Sequence, residues 1–158
     1  MEKISINSAL VILVIVLFAF KPVPNDNEET IPCEEITLRC MLPGKIGVEH
    51  VIRNNTDYQK LIQQKNPYSY DCDNYQLPAI DFYEYTLIGY VGGVAGCDFP
   101  KISHEVIKMN TNYVVNIDIQ QIGQCKRNNP IEIWCLIPKV QDNASVKFNV
   151  TKTLINKE

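Results

Sequence analysis

The chain has 158 residues and a net charge of -3, with acidic and basic side chains mixed along its length. That balance excludes the basic face a nucleic-acid binder needs and the polybasic patch of a lipid-surface binder. Once an N-terminal segment of about twenty residues is set aside, what remains fits one domain and is short for two.

The N-terminal segment is the first element. Ala9 to Phe20 is uncharged and apolar and follows Lys3, which reads as the core of a secretory signal. The run is short for a bilayer span, which takes about 20 residues. Two readings follow: a signal cleaved after Ala19, or a short N-terminal anchor retained in residues 1–20. The next stretch, Lys21 to Pro32, is acidic and proline-punctuated and reads as a linker. All six cysteines (Cys33, Cys40, Cys72, Cys97, Cys125 and Cys135) lie downstream of the apolar run. An even cysteine count after an export signal is expected as a disulfide framework in a secreted, periplasmic or envelope protein. The membrane is then met only through an uncleaved N-terminal segment.

Residues 33–158 read as a single domain. Glu35 to Cys40 alternates as a weak strand, Pro43-Gly44 is a turn, and Val48 to Ile52 is a second short strand. Asn54 to Asp57 supplies helix-capping residues ahead of Tyr58, Leu61 and Ile62, so a short amphipathic helix is expected over Thr56 to Gln64. Asn66 to Pro78 is a loop rich in tyrosine and aspartate. Tyr85 to Val91 is a continuous apolar run of central-strand type, with Gly92-Gly93 expected to break it and Gly89 to Gly96 expected to form a tight, flexible loop. Ser103 to Met109 is a strand candidate, Asn110 to Asn112 a turn, and Tyr113 to Gln121 a strand with Val115, Ile117 and Ile119 on one face. Ile131, Ile133, Cys135 and Ile137 alternate with Glu132, Trp134 and Leu136, as Val146, Phe148 and Val150 do with Lys147 and Asn149. The fold class is α+β: mostly antiparallel sheet, one short helix, disulfide-braced.

The residues that could carry chemistry are few. With no Cys-x-x-Cys pair, a zinc ribbon or dithiol redox motif is not indicated and no metal ligands are assigned. Cys97 and Cys125 sit in loops of one sheet and are expected to pair. Cys33 and Cys40 are close enough for a local loop, and Cys72–Cys135 follows by elimination. His50 and His104 have no carboxylate at a ligand spacing, and no serine or cysteine stands in a nucleophile elbow. Asp81 and Glu84 could be a carboxylate pair, but here they open a strand. The glycine-rich segment from Gly89 lacks the Lys-Ser/Thr of a phosphate loop. Three glycosylation sequons, at Asn54, Asn143 and Asn149, read as chance in an asparagine-rich chain. No catalytic residue and no cofactor is assigned, and the expectation is a non-enzyme. Tyr68, Tyr70 and Tyr75, in the loop, are the candidate partner-binding residues, since tyrosine buries area while keeping a polar tip.

One resemblance enters here. Ile80-Asp81-Phe82-Tyr83-Glu84-Tyr85-Thr86-Leu87-Ile88-Gly89 resembles the opening D-F-x-x-Y-x-L/I-I strand of the PrcB-type C-terminal domain. A glycine-rich break, Cys97, two strands and Cys125 follow, and Trp134 to Lys139 is similar to the W-x-x-I/V-P-K closing strand of its short exported form. Val51-Ile52-Arg53-Asn54 and Tyr58-Gln59-Lys60-Leu61 are similar too, and the likeness covers about residues 48 to 152. The chain departs from it in the segment bearing Cys33, Cys40 and Cys72. The resemblance implies an exported bacterial protein that assembles or stabilises a protease complex without catalysis of its own, its partner an extracellular protease. The alternative is a secreted protease inhibitor presenting Gly92 to Pro100 or Asn66 to Pro78, although the N-P-T-T-G and R-P-W motifs of Ig-like inhibitors are lacking. A hydrolase using Asp81 or Glu84 is the third reading.

Overall fold

The computed structural model describes residues 28–38, 47–63 and 76–156. In chain order these form β1 (Glu28–Ile31), β2 (Glu34–Glu35), β3 (Val48–Ile52), α1 (Asn55–Ile62), β4 (Tyr85–Ala95), β5 (Lys101–Met109), β6 (Asn112–Ile122), β7 (Asn128–Pro138) and β8 (Val146–Ile155). The strands make two four-stranded sheets, one ordered β1-β5-β6-β8 and the other β2-β7-β4-β3. The architecture is mostly antiparallel sheet with a single short helix among the described residues, as the patterning predicts.

Alternation decides how the sheets meet. Val115, Ile117 and Ile119 of β6, Val106 of β5, Ile88, Tyr90 and Val94 of β4, and Ile131, Cys135 and Ile137 of β7 are buried in one cluster between the sheets. The opposite face of the second sheet carries a different cluster, with Leu87, Val91 and Trp134 under Tyr58 and Leu61 of α1. The sheet containing β7 is therefore covered on both faces, which is why its central strand β4 is buried from Thr86 to Val94. Such a strand reads as a continuous apolar run.

The helix forms where capping chemistry places it. Asn54 is the N-cap, its Oδ1 accepting from the Asp57 N–H at 2.9 Å. Asp57 in the first turn pairs with Lys60 at 2.8 Å, and the apolar spacing turns Tyr58 and Leu61 onto the sheet.

Three expectations are corrected. First, Gly92-Gly93 does not break β4, which stays paired with β7 as far as Ala95↔Asn128. Two of the glycines are needed for close approach: a β-carbon at Gly89 would overlap the Trp134 ring, and one at Gly92 would meet Tyr90. Second, Glu28–Ile31, inside the expected linker, pairs with β5 from Glu28↔Met109 to Ile31↔Val106. An acidic edge strand and an acidic linker look alike in composition. Third, β8 runs parallel to β6. The chain leaves β6, crosses to the other sheet as β7, and returns as β8, so the two end up in the same direction; side-chain alternation carries no information on strand direction.

Candidate functional site

Three separated segments meet at the Pro138 end of β7. The end of β3 supplies Arg53 and the cap of α1 supplies Asn54 and Asn55. The turn before β4 supplies Ile80 to Tyr83, and the chain after β7 supplies Lys139 and Asp142. Together they line a cleft of about 520 Å³. Asp81 shapes the turn: its Oδ1 accepts from the Tyr83 N–H at 2.9 Å, and its carbonyl accepts from the Tyr85 N–H at 2.9 Å. Asp81 is thus a turn-forming residue, as its place at a strand start suggests.

Lys139 fastens the cleft. Its Nζ donates to the Arg53 carbonyl at 2.6 Å and to the Phe82 carbonyl at 2.8 Å, tying the ends of β3 and of the turn to the end of β7. The Lys139 backbone N–H donates to the Glu84 carbonyl at 2.8 Å, and the next N–H, of Val140, donates to the buried Thr86 Oγ1 at 3.0 Å. Arg53 reaches the other way, its Nη2 donating to the Ala144 carbonyl at 2.8 Å, while its buried Nε has no partner. Phe82 packs against Tyr58 of the helix with ring centroids 5.6 Å apart. Tyr83 does none of this; it is 93% exposed and stands at the lip of the cleft.

Beside the cleft, on the same face of the sheet, Trp134 lies over Gly89 with its ring centroid 5.2 Å from that of His50. Burial holds the His50 imidazole below its ordinary pKa. Burial pushes the Glu132 carboxyl, two residues before Trp134, above the usual carboxylate range, partly opposed by the indole N–H.

The cysteines need one correction. Cys97 is joined to Cys125 across a separation of 28 residues. Cys33, however, is joined to Cys135, neither to Cys40 nor leaving Cys135 for Cys72. The reason is register. The strand that follows Cys33 pairs with β7 at Glu34↔Leu136 and Glu35↔Cys135, bringing the Cα atoms of Cys33 and Cys135 to 5.5 Å. Cys40, Cys72, Tyr68, Tyr70 and Tyr75 lie outside the described residues. His104 of β5, which has no carboxylate at a ligand spacing in the sequence, places its Nε2 3.2 Å from the Cys33 Sγ.

Sequence reasoning missed Arg53, Tyr83 and Lys139 as members of one site. The three are far apart in the chain and converge only in space, so no local motif marks them. No family model matches the chain, and no curated protein or solved structure matches it.

Proposed function

We propose that the chain is a non-catalytic exported protein-binding domain whose partner seats on the cleft between Arg53, Tyr83 and Lys139. The observation that carries this reading is Tyr83: a large aromatic side chain held fully in solvent by a rigid, hydrogen-bonded turn. Aromatic side chains of this kind anchor interfaces, because they bury much area at little conformational cost. The surrounding polar groups support a binding role over a catalytic one. Lys139 is engaged with two backbone carbonyls, Asp81 with a backbone N–H, and the described residues of the cleft include no nucleophile beside a base. The two disulfides are compatible with an extracellular or periplasmic location. No helix among the described residues is long and apolar enough to cross a membrane. Taken with the PrcB-type resemblance, the partner class is an extracellular protease that the domain assembles or stabilises.

The test is purification of the tagged chain from its native host, then reconstitution with any stoichiometric partner. Tyr83→Ala is expected to weaken the reconstituted complex at least tenfold while the melting temperature stays where it was. A partner bound equally well by Tyr83→Ala, or recovery of the tagged chain alone, refutes the reading. If the partner is a protease, its activity with and without added domain separates a stabiliser from an inhibitor.

A further inference from the structure

The Cys33–Cys135 pair is not isolated. The Sγ atoms of Cys33 and Cys135 and the Nε2 of His104 all lie within 4.8 Å of one another. A fourth group, the Glu35 carboxylate, has its Oε1 3.6 Å from that same Nε2. His104 comes from β5, Cys135 from β7, Glu35 from β2 and Cys33 from the link between β1 and β2, so both sheets hold them in place. His104 occupies an inward position of β5, two residues before the buried Val106. An imidazole between two apolar sheets needs polar partners. Those the structure provides are the Cys33 sulfur and a carboxylate that is itself 75% exposed.

We infer that this cluster is a switchable metal site, closed by a disulfide when oxidised and able to bind zinc when reduced. The ligand set is two thiolates and an imidazole, completed by the carboxylate, and it suits Zn²⁺, which takes sulfur, nitrogen and oxygen donors in a tetrahedron. The spacing also suits it. Zinc–ligand bonds of about 2.0–2.3 Å at tetrahedral angles put donor atoms about 3.3–3.8 Å apart, and the Nε2 distances of 3.2 Å to sulfur and 3.6 Å to oxygen fall close to that range. The chemistry balances with a dithiol as reductant. A thiolate of the dithiol attacks the partly exposed Cys33 sulfur, the Cys33–Cys135 bond breaks, and the second dithiol sulfur completes the exchange. Two electrons and two protons pass to the protein sulfurs and the dithiol leaves as its own disulfide. Zinc then displaces the two thiol protons. Access runs through the clefts flanking His104, of about 320 Å³ and 410 Å³, the second lined by Cys33 as well.

The experiment uses the full chain, reduced and held under inert gas, titrated with Co²⁺ as the spectroscopic stand-in for zinc. One equivalent is expected to give thiolate-to-cobalt charge-transfer bands and tetrahedral visible bands, bleached by zinc and undetectable in the oxidised chain. His104→Ala, a half-buried strand position expected to fold, should weaken cobalt affinity about tenfold or more, a scale reached even by outer-shell partners. Cys97→Ser/Cys125→Ser and Cys40→Ser/Cys72→Ser should each retain the bands, which keeps the assignment on Cys33 and Cys135. The inference is overturned if the reduced chain gives no cobalt–thiolate bands, if His104→Ala binds as the parent does, or if either control pair abolishes the signal.

Discussion

The two faces of the sheet built from β2, β7, β4 and β3 are made by different rules. Its inner face is mostly aliphatic and regular, Tyr90 being its aromatic member: Ile131, Ile133, Cys135 and Ile137 of β7 meet Val115, Ile117 and Ile119 of β6, with alternation deciding what is buried. Its outer face is irregular. Trp134 fits only because Gly89 has no side chain, a partly buried His50 stacks beside it, and a helix and a turn clamped by Lys139 close the edge. The inner face is a core that holds the two sheets together, with the Cys33–Cys135 and His104 cluster at one place in it. The outer face carries the Trp134–His50 pair and the helix, and the binding cleft opens at its end.

The largest expected effect comes from breaking the inner face at its covalent link. Cys33→Ala/Cys135→Ala frees a loop spanning 102 residues, whereas Cys97→Ala/Cys125→Ala frees one of 28. The chain-entropy account assigns about 4.7 kcal/mol to the longer closure and about 3.6 kcal/mol to the shorter. Urea unfolding of the two double variants under oxidising conditions should rank them in that order. The reverse order would show that the loop link between the ends of β4 and β7, and not the link between the sheets, limits stability. Next in size is Gly89→Ala. Its β-carbon must displace the Trp134 ring against His50 and the cluster under the helix, a shift that overpacked sites charge at about 1–3 kcal/mol. Gly92→Ala meets the outer ring atoms and hydroxyl of the buried Tyr90 at longer range and should cost less. Equal costs at the two glycines would mean that both faces yield alike, and the distinction between them would fail.

The same contrast governs what could be read from the sequence. The inner face was legible because period-two alternation needs only the strand itself: β6 and β7 were expected with their inward residues correctly assigned. The Cys97–Cys125 pair was legible because both residues sit at the ends of adjoining strands. The Cys33–Cys135 pair was not, since it depends on the register between a two-residue strand and a strand a hundred positions away. The glycines of β4 read as a loop in sequence because a glycine that admits a neighbour's ring and a glycine that bends the chain look the same there. The cleft was not legible: that Lys139 reaches both Arg53 and Phe82 is a fact of folding, not of spacing.

The smallest effect separates the faces by pH. The titratable groups shifted by burial at the Trp134 site are on the outer face, and they act with opposite signs. His50 has its folded pKa below the unfolded value of about 6.5. The unfolded chain therefore takes up a proton first, and stability is lost as pH falls below about 6.5 toward the folded pKa. Glu132 has its folded pKa above the ordinary carboxylate value. The folded chain takes up that proton first, and stability is regained as pH falls from the folded pKa to about 4.3, the unfolded value. The melting temperature of the parent should accordingly dip on mild acidification, with the fall easing at lower pH as Glu132 protonates. His50→Gln should remove the early part of the dip, and Glu132→Gln should remove the easing. If His50→Gln leaves the profile between pH 7 and 5 unchanged, the imidazole is not buried against Trp134 as the ring contact requires, and the outer face is looser than its packing implies.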